Sequence, residues 1–226
     1  VAFAMGPLTA IAADSPNLLE QKFFVALGTY IVDSNTDVRL DGWALARDAA
    51  TDSYRARIAA RDFTLDFTAV SQGPPWLQGN GGVSGKGPLP TQASYYYSRP
   101  QLRVEAEVHF AAVAAPTRMQ GVAWLDHEWS SELLPADAQG WDWIGINLDD
   151  GSALMAFRMR GQSVPALWAA ATYRAADGSV QTFAPEAVDF AATRRWRSPR
   201  TAIDYPVEWR LRVGQRNFVL QALLDD

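Results

Sequence analysis

Residues 145–157 read GINLDDGSALMAF, and this stretch decides the fold class. Two runs of apolar and small residues flank Asp150 and Gly151. An Asp-Gly pair between such runs is a strong local signal for a β-hairpin. The pattern predicts two antiparallel strands joined by a tight primed turn, in which Asp150 and Gly151 both take left-handed conformations.

The same rhythm continues through most of the chain. From Val38 onward, short runs rich in β-branched and aromatic residues alternate with turn signals such as Asp41-Gly42 and Asp177-Gly178. Residues 71–90, SQGPPWLQGNGGVSGKGPLP, contain too much glycine and proline for regular structure and predict a functional or lid loop. The fold class predicted from these patterns is an all-β, antiparallel protein.

Composition narrows the function. The 226 residues include 20 Lys and Arg against 25 Asp and Glu, and the net charge of -5 disfavours a nucleic-acid partner. The absence of cysteine excludes disulfides and thiolate-bound metals. The opening VAFAMGPLTAIAADSP ends its apolar run with an A-x-A pattern, which is typical of an exported protein, although no basic region precedes it. An internal segment of a longer protein is the alternative, and we expect export to the periplasm or a membrane.

Three consecutive ionisable residues, Asp126, His127 and Glu128, lie between Trp124 and Trp129. If residues 121–129 form a strand, alternation places the two carboxyl groups on one face and the imidazole on the other. Burial beside an indole shifts the pKa of an ionisable group, and two carboxylates on one face favour keeping one of them protonated. These three residues are therefore the candidate catalytic residues of a general acid mechanism.

Other interpretations of this run remain open. It is also typical of a solvated strand end, or of a buried polar network that pairs backbone groups at the corner of a barrel. A metal site is disfavoured because His109 is the only other histidine and the run cannot point one way on a strand. Ser130 and Ser131 lack the G-x-S-x-G elbow of a serine hydrolase. We expect neither a metal nor a cofactor.

Aromatic residues predict where a ligand binds. In GWDWIGINL, residues 140–148, the two tryptophans share a strand face with Gly145, which leaves a gap for a flat or elongated apolar ligand. A plain hydrophobic core is the alternative. Three tyrosines follow the Gly/Pro loop, beside Lys86 and Arg99, which we expect to be solvated. The predicted ligand-binding residues are Trp124, Trp129, Trp141, Trp143, Asn147, Tyr95, Tyr96 and Tyr97.

Several blocks resemble a known family. KGPLPTQASYYYSRPQL (86–102), GVAWLDHEWSS (121–131), GWDWIGINLDDGSALMAFRMR (140–160) and RRWRSPR with YPVEWRL (194–211) are similar to bacterial proteins of the AttH and carotenoid hydratase (hydroxyneurosporene synthase) group. These are often described as predicted secreted hydrolases. The resemblance covers residues 38–226.

The resemblance implies two lipocalin-like antiparallel β-barrel or sandwich domains packed together. We place the first at 38–112 and the second at 118–226, separated by the small-residue patch AAVAAPTR at 111–118, and residues 1–37 remain unplaced. The tryptophan-rich opening motif and the closing strands of the family are not found. The domains are therefore expected to be incomplete at both ends.

Family members of known activity add water across an isolated isoprenoid double bond. The resemblance therefore implies cofactor-independent, acid-catalysed hydration of a small hydrophobic, isoprenoid-type molecule. Asp126 would donate the proton, Glu128 would raise its pKa or orient water, and His127 would orient a carboxylate or serve the fold. The alternatives are a carrier that binds a hydrophobic ligand unchanged, or a hydrolase as the family label suggests. Peripheral membrane association is a further expectation, and the oligomeric state is not predicted.

Overall fold

The computed structural model describes residues 2–5, 35–130 and 137–225, and its regular elements there are almost entirely antiparallel β-strands. The exception is a 3-10 turn at Pro185–Ala187. The all-β prediction is confirmed. The strands are β1 (Ala2–Met5), β2 (Asp37–Leu40), β3 (Trp43–Asp48), β4 (Ser53–Ala59), β5 (Phe63–Val70), β6 (Trp76–Leu77), β7 (Val83–Gly85), β8 (Ala93–Phe110), β9 (Thr117–Trp129), β10 (Ala138–Asn147), β11 (Ala153–Gly161), β12 (Trp168–Arg174), β13 (Val180–Phe183), β14 (Val188–Arg197), β15 (Asp204–Val213) and β16 (Arg216–Gln221).

These strands form three sheets. The largest has the order β1-β9-β8-β5-β4-β3-β2, and β6 and β7 also pair with β8. The second sheet has the order β10-β11-β12-β13, and the third has the order β14-β15-β16. Most neighbours in the sheets are also neighbours in sequence, as expected of strands joined by short antiparallel connections.

The chain divides into two compact units whose segments interleave along the sequence. Unit 1 comprises residues 1–76 and 98–127, and unit 2 comprises residues 77–97 and 128–226. Residues 111–116, within the predicted boundary patch, form the connection between β8 and β9. The domain boundary that the sequence predicts at 111–118 stays a prediction.

The hairpin at 145–157 is present, but its predicted turn is wrong. Strands β10 and β11 pair in the register Asn147 to Ala153, and the loop between them closes through hydrogen bonds joining Leu148 to Ser152 and to Gly151. Only Gly151 is left-handed, with φ of 84°. The connection is a longer loop that ends in a left-handed glycine, because one additional aspartate precedes the Asp-Gly pair.

The Gly/Pro-rich segment is more regular than its composition suggests. It contains β6 and β7, which the prediction of an irregular loop missed. Gly79 has φ of 62°, and a Cβ built there would lie 2.2 Å from the carbonyl oxygen of Val83. Glycine therefore permits a close backbone turn between two short strands, instead of excluding strands from the segment.

Each unit has its own hydrophobic core. In unit 1 the core comprises Tyr54, Ala56, Leu65, Phe67, Ala69, Leu102, Val104, Ala106, Val108, Ala123 and Leu125. In unit 2 the core comprises Leu154, Ala156, Ala169, Ala171, Val188, Phe190, Leu211 and Val213. Ile144 and Ile146 of β10 pack against this second core, so the alternation predicted for residues 140–148 is confirmed.

The expectation that Arg99 is solvated is wrong. Its side chain is only 4% exposed, and its guanidinium binds both carboxylate oxygens of Asp52 at 2.6 and 2.9 Å. It also donates to the hydroxyl of Ser71 and to the carbonyl oxygen of Gly73. This buried ion pair of unit 1 fixes the start of the Gly/Pro-rich segment against β8.

Candidate functional site

Strand β9 carries the three ionisable residues. It spans Thr117–Trp129, so the strand predicted over residues 121–129 is confirmed. Side chains alternate between the two faces of a strand, so His127 lies on the opposite face from Asp126 and Glu128. Asp126 and His127 belong to unit 1 and Glu128 belongs to unit 2.

Asp126 is the buried acid of unit 1. Its side chain is only 6% exposed, and its Oδ1 accepts hydrogen bonds from the indole N–H of Trp124 at 2.7 Å and the hydroxyl of Ser98 at 2.5 Å. The ring of Trp76 meets that of Trp124 edge-on, with centroids 5.9 Å apart. The carboxyl group is therefore oriented by two donors in an aromatic and largely dry environment.

Both of these donors act on the same oxygen of Asp126. In the neutral acid, a proton on Oδ2 leaves Oδ1 as a carbonyl acceptor, and both hydrogen bonds remain possible. Oδ1 can therefore keep both donors in either protonation state of the carboxyl group. The chemistry that it supports is general acid catalysis.

His127 is half-buried in β9, and burial lowers its pKa below the ordinary value of 6.5. The folded protein therefore favours the neutral imidazole. Because the unfolded chain binds a proton more readily, this contribution to stability is present above pH 6.5 and is lost as the pH falls below it.

We expect the free energy of unfolding of the wild type to decrease more steeply between about pH 7 and pH 5 than that of His127→Gln. Urea unfolding of both proteins across this range measures the difference. The substitution removes the titrating group and keeps a hydrogen-bonding side chain. Parallel pH profiles for the two proteins would contradict the assignment.

Glu128 forms an ion pair in unit 2. Its Oε1 lies 2.7 Å from the ammonium of Lys86 and also accepts a short hydrogen bond from the hydroxyl of Ser94. The Lys86 ammonium also donates to the Ser84 hydroxyl at 3.1 Å. The carboxylate is thus oriented from the β7 and β8 side by a cation and a hydroxyl group.

Lys86 is not solvated, contrary to the expectation from the sequence. Its side chain is 16% exposed, and its ammonium lies 4.2 Å from the centroid of the Phe157 ring and 4.8 Å from that of Tyr96. Aromatic faces attract such a cation through their quadrupoles, and the attraction strengthens as water is excluded. The ammonium is therefore held between a carboxylate and two rings.

Aromatic and sulfur-containing side chains line one face of the β10–β12 sheet in unit 2. The register places Trp143 opposite Phe157, and the indole N–H of Trp143 donates to the Tyr96 hydroxyl at 3.1 Å. Met155, Phe157 and Met159 on this face are only 1–3% exposed. Such a surface resembles the wall of an apolar ligand site, although a packed core has the same composition.

The predicted ligand-binding residues fall into different environments. Tyr96 and Trp143 contact each other, Asn147 shares the strand face of Trp143, and Tyr97 is half-buried in β8. Tyr95 and Trp129 stack on each other with centroids 5.5 Å apart and are 57% and 40% exposed. Trp141 is also exposed, whereas Trp124 is buried in unit 1.

Sequence reasoning missed the polar partners of the two acids. Ser94 binds Glu128 and Ser98 binds Asp126, and both serines are buried in β8. A signal for them exists in SYYYS, residues 94–98, because alternation places both serines and Tyr96 on one side of the strand. Lys86 and Phe157 had no comparable local signal.

Within the described ranges, no three His, Asp or Glu side chains are grouped so that they could hold a metal ion. No helix in the same ranges is long and apolar enough to cross a membrane. The expectations about metals, cofactors, export and membrane association remain predictions.

Curled antiparallel sheets with a buried aromatic and acidic site define a lipocalin-like β protein. Comparison with known families then identifies the chain, because the AttH-like family profile matches residues 12–226. The protein belongs to the AttH-like family. This match begins well before residue 38, where the resemblance based on sequence blocks started.

Solved structures also resemble the chain. A crystal structure of an AttH protein from Nitrosomonas europaea shares 47% identity with a TM-score of 0.82, and the match covers 87% of this chain and 61% of that one. Kievitone hydratase from Nectria haematococca has a TM-score of 0.68 at 15% identity, with coverage of 86% and 60%. The second likeness shows the fold alone. Comparison with curated proteins gave no significant match.

The chain spans about three fifths of the length of both solved structures. The activity of a full-length relative is therefore a proposal for this chain and rests on the residues described above.

Proposed function

We propose that this protein catalyses the cofactor-independent, acid-catalysed hydration of a small lipophilic molecule of isoprenoid type. The observation that carries the proposal is Asp126, a residue only 6% exposed whose carboxyl group is oriented by Trp124 and Ser98. Membership of the AttH-like family and the similarity in fold to a hydratase support the same reaction class.

The proposed reaction begins with proton transfer from Asp126 to an isolated double bond. The π electrons of the alkene form the new C–H bond, the electrons of the O–H bond stay on Asp126, and a tertiary carbocation remains. Water then forms the C–O bond with a lone pair, and the resulting oxonium loses a proton to the Asp126 carboxylate, which restores the acid. Trp124 binds Asp126 through its indole N–H, and Trp76 packs against Trp124. A cation held against the face of one of these rings would be stabilised by about 1–2 kcal/mol.

A carrier of a hydrophobic ligand is the second candidate. The buried face of β10–β12, with Phe157 and its neighbouring methionines, favours it because such a surface binds a lipophile without any chemistry. A carrier retains its ligand in stoichiometric amounts and does not alter its mass.

Oxygen-18 water distinguishes the two functions. The wild type is incubated in labelled water with a panel of isoprenoids and polyenes, and the extract is analysed by mass spectrometry against a heat-denatured control. We expect a product heavier than its substrate by one labelled water, formed in catalytic excess over protein. Compounds recovered unchanged and in no more than equimolar amounts would reject hydration for this panel and support the carrier.

A further inference from the structure

The two oxygens of the Glu128 carboxylate have different surroundings. Oε1 forms an ion pair with the Lys86 ammonium and accepts a hydrogen bond from the Ser94 hydroxyl. Within residues 35–130 and 137–225, the contacts found for this carboxylate are those of Oε1. The Glu128 side chain is 36% exposed, so part of it is open to a ligand or to water.

The orientation of this carboxylate is fixed by its neighbours. Lys86 is 16% exposed and is itself held by the Ser84 hydroxyl and by the rings of Phe157 and Tyr96. A cation with so many partners has little freedom to follow a moving carboxylate. Glu128 is therefore presented with Oε1 occupied by these donors, and Oε2 is the oxygen that remains for a further partner.

Chemistry restricts what can occupy Oε2. An ionised carboxylate only accepts hydrogen bonds, so its partner must provide an O–H or N–H group. The charge of Glu128 is already balanced by Lys86 at 2.7 Å, so a second cation gains little there. Aromatic rings next to this ion pair favour a partner with an apolar body. The hydroxyl group of a lipophilic alcohol meets all three conditions, and water meets the first two.

We infer that Oε2 of Glu128 is a hydroxyl-binding position, and that Lys86 and Ser94 are the residues that position it. The inference deepens the proposed function and rests on it for the identity of the ligand, since hydration consumes water and forms an alcohol. The site binds an O–H group by accepting its hydrogen, and it distinguishes an isoprenoid alcohol from the corresponding ether.

The probes are geraniol and geranyl methyl ether, which share a carbon skeleton and differ in the hydroxyl hydrogen. Calorimetric titration of the full chain is expected to show that the wild type binds the alcohol about tenfold more tightly, the difference expected of one partly exposed hydrogen bond to a charged group. Glu128→Gln is expected to abolish this preference. Its amide oxygen can keep the donors of Lys86 and Ser94, so that an NH₂ group replaces the acceptor at Oε2.

Lys86→Met keeps an apolar stem against Phe157 and Tyr96 but removes the cation. We expect a smaller alcohol preference in this variant and recovery of most of it in Lys86→Arg, which restores a charged donor to Oε1. A role of Lys86 in folding alone would change the thermal stability of these variants without changing the ratio of the two affinities. Thermal unfolding of each variant is therefore measured alongside the titrations.

Three results overturn the inference: equal affinities of the wild type for the two probes, binding of neither probe, or an alcohol preference that survives in Glu128→Gln. The oxygen-18 experiment is independent of these titrations. If label is not incorporated but the alcohol preference depends on Glu128, hydration is rejected and the hydroxyl-binding site stands.

Discussion

Replacing Asp126 by asparagine is expected to lower the rate of oxygen-18 incorporation by at least about 100-fold, the lower range for the loss of a general acid. The amide nitrogen of asparagine cannot deliver the proton that the proposed reaction requires. Its side-chain oxygen can still accept the hydrogen bonds of Trp124 and Ser98, which reach a single oxygen of Asp126 in the wild type. The measurement is the initial rate of labelled product formation.

Asp126→Ala is the matched comparison for this experiment. It removes the acceptor as well as the acid and leaves the buried N–H of Trp124 without its carboxylate, so it is expected to cost about 1–3 kcal/mol of stability. Urea unfolding of both variants separates the two effects. We expect Asp126→Asn to retain near-wild-type stability and Asp126→Ala to lose both activity and stability.

Two outcomes would reject the role assigned to Asp126. Turnover by Asp126→Asn at the wild-type rate would show that another group supplies the proton. Unfolding of Asp126→Asn would instead support the alternative interpretation of the acidic run as a polar network that maintains the fold.

Local periodicity was enough to predict the strands that carry the candidate site. Alternation in residues 140–148 placed Ile144 and Ile146 toward a core and Trp143 on the other face, as the structure has them. This pattern is reliable because a strand buried on one face must alternate, whatever its distant neighbours are. The same reasoning placed Asp126 within a strand.

Partners that are distant in sequence were not predictable. The sequence predicts that Arg99 and Lys86 are solvated because basic side chains are mostly exposed in folded proteins. Asp52 lies in the turn between β3 and β4, 47 residues from Arg99, and Glu128 lies on β9, far along the chain from Lys86. No periodicity links such positions in the sequence, since the sheet register that brings them together is set by many strands at once.

The ion pair between Asp52 and Arg99 provides the largest stability prediction. Asp52→Asn is expected to lower the free energy of unfolding by about 2–3 kcal/mol. The variant leaves a guanidinium that is only 4% exposed without its carboxylate. This expected loss is no larger than the loss on breaking a fully buried ion pair, because the Asp52 side chain is 38% exposed. Asparagine also tolerates the left-handed backbone at this position, where φ is 49°, so the substitution tests the charge and not the turn.

Asp66→Asn is the control for this experiment. Asp66 also belongs to unit 1 and pairs with Arg57 at 3.7 Å, but both side chains are more than half exposed. Exposed pairs contribute little, and we expect this variant to lose no more than about 0.5 kcal/mol. Equal losses in the two variants would show that the buried geometry of Arg99 adds nothing.

The dependence on pH gives a second test of the same pair. Burial alone would raise the pKa of Asp52, but hydrogen bonds and charge from Arg99 and Arg47 outweigh it, and the pKa lies below its ordinary value of 3.8. At Asp52 the unfolded chain therefore binds a proton more readily than the folded one. The stability that this carboxylate contributes is complete well above pH 3.8, and it is lost as the pH falls to 3.8 and further below. The stability difference between wild type and Asp52→Asn should accordingly shrink in acid, and a difference that stays constant down to about pH 3 would show that the ion pair is not its source.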